Sequence, residues 1–233
     1  MIEDEGRKIS NVLKNMTGTY LDGKKCIKEM IEHSSKNWKQ MEWMGWYNEE
    51  NARSILIAKI GGSEGPRYGN TRIDYMNEYA WDIKTHSLFD KNGKPEREAI
   101  LNDTEAIENA IEEFGSIGFV MFLVEPEWDI DGSFKDWHDQ MKGETSDYVK
   151  ERIERGAPSR MRKSACTIRE IMVFRLDKES LERGMKEKWL KGFQKGMRNA
   201  DGSPRRSKVN IMIDRIPIEC IITGSVTFGG EPH

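Results

Sequence analysis

The stretch Asp74-Tyr-Met-Asn-Glu-Tyr-Ala-Trp-Asp82-Ile-Lys84-Thr-His decides which fold the sequence predicts. Residues 71–76 and 80–88 both alternate as β-strands do, and a short turn separates them. Side chains two positions apart on a strand lie on the same face, so Asp82 and Lys84 are neighbours on one surface. The stretch therefore predicts a β-hairpin that brings two acids and an amine together.

Two carboxylates and a lysine suit the hydrolysis of a phosphodiester. The reaction needs an activated water and stabilisation of the negative charge on the phosphoryl oxygens, and carboxylate-held Mg²⁺ with a nearby lysine can supply both. The same acid-x-Lys pattern also occurs on solvated strand edges. The rest of the chain must therefore decide between a metal-dependent nuclease site and an ordinary polar face.

Length and composition limit the class of protein. The 233 residues are enough to bury the core of one large domain. The charged fraction of 33% and the mean hydropathy of −0.74 indicate a globular protein with a heavily charged surface. No apolar run has the length of a membrane span, and the N-terminus lacks the layout of a signal peptide, so we expect a cytoplasmic protein without membrane contact. The cysteines and histidines show no paired or ligand-like spacing, which argues against disulfides and zinc.

The net charge of −3 conceals a strong asymmetry along the chain. Residues 96–147 hold fifteen acidic side chains against three basic ones, whereas residues 150–169 hold seven basic against two acidic, and residues 183–208 nine against two. Clustered positive charge on an acidic protein predicts a directed contact with phosphate groups.

Two sets of basic residues are the candidate DNA contacts. The first lies in the Gly- and Pro-containing segment 154–164, where serines accompany Arg155, Arg160, Arg162 and Lys163. The second flanks a turn centred on residues 199–204 and comprises Arg198, Arg205, Arg206 and Lys208. These residue types contact phosphates and base edges, although solvated basic loops have the same composition.

Hydrophobic patterning predicts an alternation of helices and strands. Helices are expected at 7–16 and from Asp22-Gly23 onward, followed by a Trp-rich helical segment at 37–50 that contains Glu42. A short buried strand is expected at 54–60, and a helix capped by Asn102 should extend to Gly115 before a fully buried strand at 118–124. Further along we expect a strand at 170–175, a helix at 182–193 and a hairpin over 209–222. The order up to residue 124 is αβββαβ.

This order, with Asp74 followed by Asp82-Ile-Lys84, resembles the core of the PD-(D/E)xK nuclease superfamily. Ile73 stands where the motif has proline, and the spacer between the two acids is short. The segment Trp38-x-Gln-x-Glu42-Trp is similar to one found in type II restriction endonucleases. The resemblance implies an α/β, restriction-endonuclease-like fold with a mixed central sheet flanked by helices. It also implies that Asp74, Asp82 and Glu42 hold Mg²⁺ while Lys84 acts near the attacking water.

The resemblance implies a sequence-specific endonuclease of double-stranded DNA that acts as a homodimer, because two-fold protein symmetry matches a palindromic site. We expect a single nuclease domain over residues 1–233, with N-terminal helices at about 1–50, the catalytic core at about 51–125 and basic DNA-contacting elements at about 150–208. Two alternatives stay open. One is a repair or junction nuclease of the same fold, and the other is a DNA-binding protein without catalytic activity.

Overall fold

The computed structural model describes residues 1–143, 147–157, 159–194, 196–198, 202–203, 205–226 and 228, without the side chains of residues 147 and 148. Its helices are α1 (Ile2–Leu13), α2 (Gly23–Glu32), α3 (Trp43–Lys59), α4 (Thr104–Phe114), α5 (Ser133–Lys142), α6 (Asp147–Glu154) and α7 (Lys178–Glu187). Its strands are β1 (Tyr20–Asp22), β2 (Arg67–Tyr68), β3 (Thr71–Arg72), β4 (Tyr75–Met76), β5 (Ala80–Ser87), β6 (Glu98–Asp103), β7 (Ser116–Trp128), β8 (Lys163–Asp177), β9 (Leu190–Phe193), β10 (Lys208–Met212) and β11 (Ile221–Thr223). The fold is mixed α/β.

Strand β7 is the centre of the main sheet. The described strands of this sheet follow the order β1-β8-β7-β5-β4, and β11 pairs with β8. Strand β7 runs parallel to β5 and antiparallel to β8. Its first nine residues are all buried, because helices or strands cover both faces, as the apolar run at 118–124 predicted.

The main sheet separates two hydrophobic cores. Helices α1, α2 and α3 pack against one face around Trp43 and Trp81. Helix α4 and a second sheet of order β6-β10-β9 pack against the other, around Phe119 and Phe174. The close packing needs Gly118, since a Cβ there would lie 2.1 Å from a ring carbon of Trp81. A mixed sheet flanked by helices is therefore confirmed.

Helix α1 reaches across to the hairpin that carries the predicted site. The buried carboxylate of Glu5 accepts hydrogen bonds from the indole N–H of Trp81 at 3.0 Å and from the backbone N–H of Glu78 at 3.1 Å. Burial raises the pKa of Glu5 above its ordinary value. The first helix thus holds both the turn before β5 and the beginning of that strand.

Several predicted elements are wrong, and each error has a local cause. Residues 54–60 belong mainly to helix α3, because the apolar run continues a helix that begins at Trp43. A short apolar run fits a buried strand and a buried helix equally well. Within residues 182–193, the chain leaves the helix after Glu187 and forms β9. The hairpin over 209–222 does not form, since β10 pairs with β6 and β9 whereas β11 pairs with β8.

Strand β6 was not predicted, although its alternating burial is typical of a half-buried strand. It ends at Asp103, which is the N-cap of α4 in place of the predicted Asn102. Residues 199–201 and 204 of the turn predicted around 199–204 lie outside the described residues. Among the described helices, none combines the length and apolarity needed to cross a bilayer.

Candidate active site

The hairpin β4–β5 brings Asp74, Asp82 and Lys84 together. Tyr75 pairs with Trp81 in the antiparallel hairpin. Asp74, one position before Tyr75, therefore lies beside the residues of β5 that follow Trp81. Oδ2 of Asp74 accepts the backbone N–H of Ile83 at 2.6 Å. The ammonium of Lys84 lies 2.7 Å from Oδ2 of Asp82 and 3.7 Å from Oδ2 of Asp74. One lysine therefore lies beside both predicted metal ligands.

Asp82 is fully buried, so its charge depends on these neighbours. Burial raises the pKa of Asp82 well above its ordinary value, and the positive charge of Lys84 opposes that rise. Burial alone would lower the pKa of Lys84, but the carboxylates of Asp82 and Asp74 outweigh it and raise that pKa. Lys84 is accordingly a cation at neutral pH.

The other oxygen of Asp82 accepts a hydrogen bond from Asn102, which the sequence indicated only as a helix cap. Nδ2 of Asn102, at the end of β6, donates to Oδ1 of Asp82 at 3.0 Å. Strand β6 joins β10 in the second sheet, so this sheet supplies one contact to the site on the main sheet.

Helix α3 contributes Glu49, which the sequence analysis missed. Its side chain is 16% exposed and lies 3.1 Å from Arg53. Burial, followed by the negative charge of Asp74, raises the pKa of Glu49 to about 7, and Lys84 acts against that rise. Glu49 is therefore the helical carboxylate that interacts with the aspartate and the lysine of the hairpin.

Glu42 is the N-cap residue of this helix, directly before Trp43, and its side chain has a different partner. Its side chain is 61% exposed and pairs with Lys163 at 3.3 Å. Seven residues of α-helix rise by about 10 Å, so Glu42 at the N-cap stands about that far from Glu49 along the axis. Glu49 is thus the acid of α3 whose pKa the negative charge of Asp74 raises.

The donor set fits a divalent cation bound through few protein ligands. Within the described part of the chain, no group of three or more His, Cys, Asp and Glu side chains is placed to hold a metal ion. Mg²⁺, however, typically takes one or two carboxylates, several waters and substrate phosphates. Oδ2 of Asp82 is buried and accepts no hydrogen bond of good geometry, although Lys84 lies beside it. Asp74 and Asp82 thus offer carboxylate oxygens of the kind that Mg²⁺ takes, in buried positions beside Lys84, which lines the cleft.

The predicted basic contacts of the first set divide into exposed and buried side chains. Arg160 and Lys163 line a cleft of about 490 Å³ together with Lys84 and Glu42. A second hollow of about 460 Å³ is lined by Arg160, Lys163 and Glu42 as well. Arg155 is exposed, and its Nε donates to the backbone oxygen of Glu151.

Arg162 does not have the exposure that a DNA contact requires. Its side chain is 7% exposed and lies 2.7 Å from Asp139. Its Nη1 donates to Nδ1 of His138 at 3.0 Å, and burial lowers the pKa of that histidine to about 4. Arg162 is therefore a core residue that ties β8 to α5, which corrects its assignment as a phosphate contact.

The second basic set lines a separate hollow of about 580 Å³ that contains Arg205, Arg206 and Lys208. Nη1 of Arg206 lies 3.2 Å from the carboxylate of Asp103. Nη1 of Arg198 donates to the backbone oxygen of Gly202 at 2.7 Å. The carboxylate of Asp103 partly neutralises the charge of Arg206. The side chain of Arg205 is exposed.

Comparison with known proteins adds no relative from which a role could be transferred. The chain matches no protein-family model, no curated protein and no solved structure. The function must therefore be argued from the cluster of Asp74, Asp82, Lys84 and Glu49 and from the basic cleft beside it.

Proposed function

We propose that this chain is a Mg²⁺-dependent endonuclease that cuts double-stranded DNA at a specific sequence, as type II restriction enzymes of the PD-(D/E)xK superfamily do. The observation that carries the proposal is the convergence of two buried carboxylates on the ammonium of Lys84, at 2.7 and 3.7 Å, while Lys84 itself lines a cleft together with Arg160 and Lys163. Acidic ligands, an activating lysine and basic residues for the backbone are what phosphodiester hydrolysis needs.

The topology supports a restriction-endonuclease-like core. Helix α3 precedes the antiparallel pair β4–β5, helix α4 follows, and β7 returns parallel to β5. This is the arrangement that the αβββαβ order implies for β5, which carries Asp82, and for β4, which begins directly after Asp74. The short pair β2–β3 lies outside the main sheet, and β6 joins the second sheet, so the agreement concerns α3, β4, β5, α4 and β7.

In the proposed reaction, Asp74 and Asp82 would hold Mg²⁺, and Glu49, in place of Glu42, would be the third carboxylate near it. Held there, the cation would supply a water of lowered pKa and would neutralise charge on the phosphoryl oxygens. Lys84 is placed to stabilise the negative charge that develops on the phosphate, because its ammonium is fixed between two carboxylates and still reaches the cleft. Ile83 orients Asp74 through its backbone N–H.

DNA binding is assigned to basic residues that are exposed or, for Lys163 and Lys208, half-buried at the surface. Arg160 and Lys163 lie in the same cleft as Lys84, so a strand whose phosphate reaches Lys84 would pass them. Arg155, Arg198, Arg205, Arg206 and Lys208 are proposed to contact the flanking backbone. We propose a homodimer, because the two-fold symmetry of a dimer matches that of a palindromic DNA site.

The test is incubation of plasmid DNA with the purified protein and Mg²⁺. Discrete fragments are expected, and sequencing their ends would give the recognition site. The control is the Asp74→Asn, Asp82→Asn double variant, which should leave the plasmid intact. Random products, or a preference for branched substrates, would favour a structure-specific nuclease. DNA binding without cutting by the unaltered protein would contradict the enzymatic assignment.

A further inference from the structure

The side-chain amide of Asn102 holds one oxygen of the buried Asp82 carboxylate. Its Nδ2 lies 3.0 Å from Oδ1 of Asp82. The orientation of the amide is fixed, because Oδ1 of Asn102 accepts the backbone N–H of Asp103 at 2.8 Å and a backbone N–H can only donate. The NH₂ end of Asn102 is therefore the end that faces the carboxylate.

The backbone around Asn102 is fixed from outside the site. The carboxylate of Asp103 is held by Arg206 at 3.2 Å, and the backbone N–H of Thr104 donates to the oxygen of Ser207 at 2.9 Å. Strands β6 and β10 pair on both sides of Asn102, at Asp103 with Lys208 and at Ile100 with Asn210, and the register is irregular between these two pairs. A side chain whose own backbone is held in place can in turn fix the orientation of the residue that it contacts.

The two oxygens of Asp82 have different surroundings. Asn102 occupies Oδ1, whereas Oδ2 points to Lys84 at 2.7 Å and accepts no hydrogen bond of good geometry. The terminal torsion of an aspartate has a broad energy minimum, so the carboxylate turns easily unless a partner holds it. A single donor on Oδ1 is enough to determine where Oδ2 points.

We propose that Asn102 is a positioning residue, which fixes Oδ1 of Asp82 so that Oδ2 is presented to the cation and to Lys84. This inference rests on the proposed function. The simpler alternative is that Asn102 only satisfies a buried carboxylate and the helix junction. In that case its loss would lower stability and leave the affinity for metal unchanged.

The variant Asn102→Leu tests the proposal, because it keeps the approximate volume and removes the donor. The matched control is Asn210→Leu on the adjacent strand β10, where Nδ2 of the buried Asn210 donates to Glu98 at 2.6 Å. Each protein is studied by crystal structure, by thermal denaturation, by Mn²⁺ titration calorimetry and by plasmid cleavage.

In Asn102→Leu we expect a rotated Asp82 carboxylate and a Mn²⁺ affinity about 10–100-fold weaker than that of the parent. Excess Mn²⁺ should restore most of the cleavage rate, while DNA affinity measured without divalent metal should not change. Asn210→Leu should lower the melting temperature and keep the parental Mn²⁺ affinity. Asp82→Asn, which loses the ligand itself, should not be rescued by excess Mn²⁺.

An unmoved Asp82 carboxylate together with parental Mn²⁺ affinity in Asn102→Leu would overturn the proposal. If the parent neither binds Mn²⁺ nor cuts DNA, the proposed function fails, and the position of Asp82 in the variant crystal structure still decides the role of Asn102. If Asn102→Leu does not fold, Asn102→Ala replaces it. That variant is smaller and removes the donor without adding a charge, so the same rotation and loss of affinity are expected.

Discussion

The Nζ atom of Lys84 lies 2.7 Å from Oδ2 of Asp82, inside a site where the aspartate has no exposure at all. The lysine therefore compensates a buried negative charge and is also the cation that lines the open cleft. A salt bridge of purely structural value would need only the first of these properties. The proposed chemistry needs both the compensation of the buried charge and the access to the cleft. Substitutions can distinguish these two roles of Lys84.

Replacing Lys84 with alanine should reduce DNA cleavage by about 10²–10³-fold or more, because the group that stabilises charge in the transition state is lost. DNA binding in Ca²⁺, measured by fluorescence anisotropy, should stay close to that of the parent. Lys59→Ala, at an exposed position of α3, is the control for a lost surface charge. A Lys84→Ala enzyme that cuts at the parental rate would remove Lys84 from the site.

The variants Asp74→Asn and Asp82→Asn should each fold and bind DNA but fail to cleave it. Each replacement keeps the size of the side chain and removes a negative charge that the proposal assigns to metal binding. Single-turnover cleavage in Mg²⁺ is the measurement. Asp136→Asn, whose side chain is 71% exposed on α5, should cut normally. Full Mg²⁺-dependent activity of either site variant would show that the ligands were chosen wrongly.

The two glutamates of α3 can be distinguished by a matched pair of substitutions. Glu49→Gln should weaken Mn²⁺ binding and cleavage, since Glu49 interacts electrostatically with Asp74 and Lys84. Glu42→Gln should have a smaller effect, because Glu42 pairs with Lys163 and is largely exposed. Titration calorimetry of both variants under one buffer condition gives the comparison. The reverse order of effects would restore Glu42 as the third carboxylate.

The pKa of Glu49 also predicts how stability depends on pH. Burial and the charge of Asp74 raise this pKa to about 7, above the ordinary value of a glutamate, so the folded state binds the proton more tightly than the unfolded state does. Its ionisation therefore costs stability as the pH rises from about 4 to about 7. Without metal, Glu49→Gln should melt at a higher temperature than the parent at pH values above about 7, and this advantage should be absent near pH 4. Thermal scans at several pH values test this.

Arg160 and Arg162 should respond in opposite ways to alanine substitution. Arg160→Ala should weaken DNA binding and lower the salt slope by about one unit, because a phosphate contact is lost. Arg162→Ala should instead cost about 1–3 kcal/mol of stability, since it leaves buried hydrogen-bonding groups of the core without partners. Binding across a salt series and urea denaturation measure the two quantities. If Arg160→Ala binds DNA with the parental affinity at every salt concentration, Arg160 makes no contact with the DNA.

The sequence was sufficient to predict the parts of the site that depend on local alternation. Asp82 and Lys84 are two residues apart on one strand, so their proximity follows from strand geometry. The central strand was predicted for a similar reason, because an uninterrupted apolar run suits a strand that is covered on both faces. The coarse α/β class followed from the same periodicity.

The contributions of other elements could not be read from the sequence because they depend on how helices and strands pack against one another. The predicted helical segment at 37–50 already contains Glu49, but the resemblance of Trp38-x-Gln-x-Glu42-Trp to a segment of restriction endonucleases favoured Glu42. Which acid of this segment lies near Asp74 depends on the packing of α3 against the hairpin, and no local pattern indicates it. Asn102 was seen as a helix cap, since nothing local indicates that β6 carries it to Asp82.

The two hydrogen bonds from the hairpin to Glu5 have a consequence for the order in which the molecule is assembled. Strand β4 contributes only two paired residues, and a hairpin of that size has little stability of its own in water. Its turn and its tryptophan are bound by a residue more than seventy positions earlier in the chain, and contacts so distant in sequence form slowly. A peptide covering residues 70–90 should therefore be unstructured, and during folding the two aspartates should reach their final separation only after α1 has docked.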